Sequence, residues 1–136
     1  MRLPNLKTDY WELRSAEESH RKHPDTFGIP PLEERQNLRR GQAAKLIFDI
    51  EGQDEDGNVS IQGERMWVVV VGKEDDYYIG ILDNQPALFE PADNLYLCFG
   101  AEIPFLPEHV SDIAEPPAEY VEWQLGQPPE REWPRT

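Results

Sequence analysis

Glu64-Arg65-Met66-Trp67-Val68-Val69-Val70-Val71-Gly72 leads into a charged break, Lys73-Glu74-Asp75-Asp76, and then into Tyr77-Tyr78-Ile79-Gly80-Ile81-Leu82, closing on Asp83-Asn84-Gln85-Pro86. β-Branched and aromatic residues on both sides of a short polar segment predict a two-stranded antiparallel hairpin. Met66, Val68 and Val70 alternate with Trp67, Val69 and Val71, so both faces of the first strand are apolar. A strand of that kind is expected to be central and covered on both sides, with Trp67 in the core.

Working outward, Gln42 to Ile50 predicts a preceding strand, with Ala44, Leu46, Phe48 and Ile50 on one face and Lys45 interrupting the other. The acidic stretch Glu51 to Gly63 reads as a solvated hairpin loop, with Asp56-Gly57 as its turn dipeptide. Asp54, Asp56 and Gly57 invite comparison with a calcium loop, but the register fails. With Gly57 at the loop's glycine position, Gly52 and Gly63 fall where ligands belong. Downstream, Ala87 to Pro91 is expected to return over the sheet, and Leu95 to Phe99 has strand composition. Glu102 to Leu106 is a last short strand, which Pro104 assigns to an edge or a bulge.

Before the sheet, residues 1–24 read as weakly helical, with Asp9 and Glu12 resembling a capping box, Leu6, Tyr10 and Leu13 on one face, and Pro24 as the stop. A second short helix is expected from Pro31 to Arg40, ended by Gly41. Arg39 and Arg40 suit its carbonyl end or the acidic remainder of the chain better than an anion site. The fold expected is α+β: a small curled or barrel-like antiparallel sheet of about five strands with N-terminal helices packed on it. Three segments are expected: 1–40 helical, 41–113 the β core, and 114–136 a Pro-rich acidic tail with little regular structure. Tyr120, Val121, Trp123, Leu125 and Trp133 are costly to leave in water, so part of that tail should dock on the domain or on a partner.

Charge narrows the function classes. Thirteen Lys and Arg against 27 Asp and Glu give a net −14. Residues 1–45 hold nine basic and seven acidic residues, whereas 46–136 hold four and twenty. A field of that sign repels phosphate backbones and anionic membranes and attracts a basic protein. No apolar run is long enough to span a bilayer, the N-terminus lacks a signal-peptide core, and Cys98 has no intramolecular partner, so a cytoplasmic location is expected.

Catalytic and metal signatures are weak. Glu17, His20 and His23 are spaced three apart, as a metal site on a helix would need, but nothing nearby completes the set and a solvated helix end explains them. An enzyme would draw on Arg65, Asp83, Asn84, Cys98 and His109, yet no motif fixes their geometry. Turn chemistry accounts for Asp83-Asn84-Gln85-Pro86, and Cys98 reads as a small hydrophobe. No cofactor or metal is expected.

Several blocks in order carry a family resemblance: Phe27-Gly28-Ile29-Pro30, Arg35, Leu38, Gly41, Lys45-Leu46-Ile47-Phe48, Glu64-Arg65-Met66-Trp67-Val68, Gly80-Ile81-Leu82-Asp83-Asn84-Gln85-Pro86, and Ile103-Pro104-Phe105 with His109. Over residues 27–110 the chain resembles the YegJ-like bacterial domain of unknown function. The resemblance implies a small cytosolic α+β or barrel-like domain and no transferable chemistry; the acidic insertion at 51–63 and the Pro-rich tail depart from it.

The function expected is therefore a non-catalytic acidic binding module, of the kind that bacterial immunity or inhibitor proteins represent, with a basic protein partner. Small-ligand binding and an uncharacterised enzyme activity are the alternatives. The candidate contact residues are Asp54, Glu55 and Asp56, Glu74, Asp75 and Asp76, and the tail aromatics Tyr120 and Trp123.

Overall fold

The computed structural model describes residues 1–87 and 95–135. It is an α+β fold in which an antiparallel sheet, curled into a half-barrel, carries short helices from both ends of the chain. The strands are β1 (Trp11–Leu13), β2 (Ala43–Gln53), β3 (Val59–Glu74), β4 (Tyr77–Leu82), β5 (Glu102–Phe105) and β6 (Asp112–Ala114). The sheet order is β1-β2-β3-β4-β5, with β6 also paired to β2. The helices are α1 (Leu6–Asp9), α2 (Ala16–Lys22), α3 (Leu32–Gln36) and α4 (Ala118–Leu125).

The hairpin read from sequence is present as β3 and β4, turning at Asp75-Asp76. β3 is longer than expected, because β2 continues to Gln53 and β3 begins at Val59, so only residues 54–58 remain as the connecting loop. Alternation sorts the side chains by face. Ala44, Leu46, Phe48 and Ile50 of β2 meet Met66, Val68 and Val70 of β3, Tyr78 and Leu82 of β4, and Ile103 and Phe105 of β5 in one buried core. Gly80 lies in that core, where an added Cβ would come within 2.7 Å of Val68 Cγ2 and 3.3 Å of Phe105 Cε1. The missing side chain is what lets these neighbours close over β4.

Trp67 corrects the expectation of two-sided burial. It points to the opposite face from Met66 and Val68 and is only half-buried, with Lys45 Nζ 5.4 Å from its ring centroid. Apolarity on both faces came from different causes: one face builds the core, and the other is covered only in part. Val69 and Ile81, cross-strand neighbours on that second face, are buried, and α4 lies over this region. Val121 Cγ1 sits 3.1 Å from where a Cβ on Gly41 would stand.

The N-terminal segment is less helical than expected. Asn5 caps α1, Tyr10 turns left-handed at φ 66°, and the chain then pairs with β2 as β1 before Ser15 caps α2. Asp9 is not the N-cap residue; its carboxylate takes two hydrogen bonds from Arg2 and one, at 2.9 Å, from the backbone N–H of the cap Asn5. The helix expected at Pro31–Arg40 covers Leu32–Gln36. Leu95–Phe99 forms no strand, although Leu95 and Leu97 enter the core. The return expected at Ala87–Pro91 lies, beyond Ala87, outside the described residues. Pro104 does stand in an edge strand, β5.

The tail corrects a further expectation. Pro117 precedes α4 and Pro128 follows it, so the prolines frame a helix rather than prevent one. Beyond it, Arg131 bridges to Ala101 and Trp133, 3% exposed, joins the core. Its ring stands edge-on to Trp11 at 5.6 Å and to Tyr96 at 5.2 Å. Segments 1–40 and 114–136 thus complete the same sheet and core as 41–113, with β1 and β6 sharing the edge of β2 away from β3.

Candidate functional site

The β2–β3 hairpin places the first acidic cluster. Its tip is built by Asp54, whose carboxylate accepts the N–H groups of Asp56 (2.9 Å) and Asn58 (2.8 Å) and the Asn58 amide (3.2 Å). These bonds, that of the Asn58 backbone foremost, hold the Asp54 carboxyl below its ordinary value. Gly57, at φ +82°, takes the left-handed position that closes the turn. Asp54 is therefore committed to loop geometry, while Glu55 and Asp56 project into solvent.

The second cluster lies at the other end of the same strand. Asp75 takes φ 55° in the turn to β4, and Glu74 pairs across it with Tyr77. Glu74 is tied to Arg135 at 2.8 Å, and Arg135 also holds Glu102 at 2.9 Å. β3, sixteen residues long with Glu74 as its last, separates the two clusters by up to about 50 Å for an extended strand. They do not converge on one surface.

Tyr120 and Trp123 share α4, with ring centroids 5.7 Å apart. The Tyr120 hydroxyl donates to the Asp83 carboxylate. Burial, then this bond, pushes the Tyr120 hydroxyl up to about 12, and burial raises Asp83. Tyr120 thus anchors α4 to the loop after β4, while Trp123 remains 54% exposed.

The five residues an enzyme would draw on stay apart, with no hydrogen bond or ion pair joining any two of them among the described residues. Asp83 faces Tyr120, Asn84 Oδ1 accepts the Trp67 N–H at 2.7 Å, and the Arg65 guanidinium lies 5.4 Å from the Phe27 ring centroid. Burial raises the Cys98 thiol. His109 is 4% exposed, accepts the Leu106 N–H at Nδ1 (3.0 Å) and is pushed down to about 4 by burial.

A buried polar knot close to His109 escaped sequence reading. Arg35, 5% exposed, donates to the Pro30 carbonyl (2.8 Å), to Glu17 Oε2 (2.7 Å) and to the Pro107 carbonyl (3.0 Å), tying α2 and α3 to the 3-10 turn Pro107–His109. Glu17 is occupied there, and His20 Nδ1 lies 2.6 Å from the Phe27 carbonyl oxygen. Among the described residues no group of three or more His, Cys, Asp or Glu is placed to hold a metal.

Also missed was the outer edge of β3. The Trp67 N–H bonds to Asn84 and its carbonyl accepts the Asp83 N–H, so the backbone groups of odd-numbered β3 residues face away from β2. β4 pairs only as far back as Val68. The outward N–H and C=O groups of Val59, Ile61 and Gly63 have no partner among the described residues. Val59 and Ile61 are 57% and 54% exposed. The alternation Val59-Ser60-Ile61-Gln62 was the available signal, masked by the acidity of the flanking loop.

No family model, curated protein or solved structure matches the chain. The resemblance to the YegJ-like domain rests on the quoted residues alone. No helix among the described residues is long and apolar enough to cross a membrane.

Proposed function

We propose that this protein is a non-catalytic acidic binding module that captures a basic protein partner, acting in the cytoplasm as an immunity or inhibitor protein would. The observation that carries this reading is the distribution of counter-charge. Among the described residues six of the thirteen lysines and arginines are held in ion pairs with acidic side chains: Arg2, Arg14, Lys22, Arg35, Arg39 and Arg135. Those pairs engage seven of the 27 carboxylates, and outside them Glu55, Asp56, Asp75 and Asp76 are exposed. Glu55 and Asp56 are exposed at the tip of the β2–β3 hairpin. Such a field speeds encounter with a cationic surface and selects against acidic ones.

The test is affinity capture with the full chain as bait, run at low and at moderate salt. A basic protein retained at low salt and released as the salt rises supports the reading. A partner that is acidic, or whose retention is insensitive to salt, overturns it.

A further inference from the structure

We infer that the outer edge of β3 from Val59 to Gly63 receives an extended segment of the basic partner as an added antiparallel strand. The inference rests on the binding function proposed above and names the surface that performs it.

Sheet edges are normally guarded. Short strands, prolines, lysines and covering segments keep unpaired backbone groups from recruiting foreign strands. The other edges here follow that rule. β1 and β6 are three residues each, and β5 carries Pro104 and is flanked by the Ala101–Arg131 bridge. The edge Val59-Ser60-Ile61-Gln62-Gly63 has no lysine and no proline, and β2 holds its other side rigidly in register from Gln53 to Asp49. It presents the outward backbone groups of three alternate residues, with two exposed apolar side chains on one face. An incoming strand needs this pairing ladder and this side-chain row.

Charge chooses the occupant. Glu51 stands opposite Ile61, and Glu55 and Asp56 lie just past Val59 at the tip. A strand paired antiparallel to β3 would run towards that tip, so its lysines or arginines belong at its C-terminal end. A second copy of the chain is disfavoured, because each brings a net −14.

The test uses the full-length protein and a capped peptide of alternating valine and threonine ending in three lysines. In antiparallel pairing its valine amides face β3. Binding is read by titration, and pairing by protection of the Val59, Ile61 and Gly63 amides from hydrogen exchange. The lysine peptide should bind and protect these amides, and N-methylation of its valines should weaken binding about tenfold or more. Ile61→Pro, which deletes an outward N–H while leaving the β2 ladder intact, should do the same. N-methylation leaves both the protein and the peptide charge unchanged, so a variant that fails to fold does not blur the result.

Binding by the lysine peptide that ignores valine methylation overturns the edge while leaving a charge-driven module standing. Equal binding of a peptide ending in three glutamates keeps the edge and overturns the basic partner. Protection of the three amides by self-association, without peptide, assigns the edge to a second copy and overturns the inference, as does no binding by any peptide.

Discussion

The Trp133 indole N–H donates to the Arg2 carbonyl at 2.8 Å, so the segment after α4 closes directly on the segment before α1. The Arg2 guanidinium lies 4.8 Å from the Trp133 ring centroid, adding a cation–π contact to the clasp. Because Trp133 is also 3% exposed against Trp11 and Tyr96, Trp133→Ala should destabilise the fold by about 3 kcal/mol or more, measured by denaturant unfolding. Loss of less than about 1 kcal/mol would mean that the tail docks without contributing to the core.

The two central tryptophans should behave differently. Trp11 is fully buried, packed on Phe48 and Tyr96 at 5.9 and 6.0 Å, whereas Trp67 is only partly buried. Trp11→Ala should cost about 3–5 kcal/mol and Trp67→Ala about 1–2 kcal/mol. Equal unfolding midpoints for the two variants would place Trp67 in the core after all.

Gly80→Ala places a methyl group 2.7 Å from Val68 Cγ2 in the packed interior and should cost about 1–3 kcal/mol. Val68→Ala in the same chain should recover only part of that loss, because it removes the Cγ2 at 2.7 Å and leaves Val68 Cβ at 2.9 Å. Additive losses in a double-mutant cycle would contradict the packing described for β3 and β4.

His109 sets a pH window. Its folded value of about 4 lies below the ordinary 6.5, so the unfolded chain takes up the proton first and stability falls as the pH drops from 6.5 towards 4. Asp9 and Asp54, held below 3.8, contribute above that value and lose their contribution only in stronger acid. Asp83, raised by burial, works in the opposite sense, favouring the fold at low pH and losing that contribution as the pH rises through its folded value. His109→Gln, with no titrating proton, should therefore flatten the fall of the melting temperature between about pH 6.5 and 4.5. An unchanged slope would remove His109 as its source.

Legibility in the sequence followed how local each cause is. Alternation in Ala44–Ile50 and Met66–Val70, and the polar break at Asp75-Asp76, are local, and they placed the core face of β2 and β3 correctly, though not the extension of both strands to Gln53 and Val59. β1 was missed because its cause is not local. Tyr10 turns left-handed and Trp11–Leu13 becomes a strand only where β2 offers Phe48–Ile50. α4 was hidden by prolines that flank it, and the Arg35 knot by its reliance on carbonyls 5 and 72 residues away. Of the candidate contact residues, Asp54, Glu74 and Tyr120 turned out to have structural partners, a distinction composition does not carry. The open edge of β3 was legible as Val59 and Ile61 alternating with polar residues, but only once β2 was known to extend to Gln53.

The most direct measurement compares capture of the proposed basic partner, across a salt series, by two neutralised variants of the full chain: Asp54→Asn/Glu55→Gln/Asp56→Asn and Glu74→Gln/Asp75→Asn/Asp76→Asn. The clusters lie at opposite ends of β3, and Glu74 is already paired with Arg135. The hairpin-tip variant should therefore lose most of its low-salt capture, mainly through a slower on-rate, while the turn variant stays close to wild type. Equal, salt-independent capture by both variants and the wild type would contradict the account, reducing the charge to a solubilising coat.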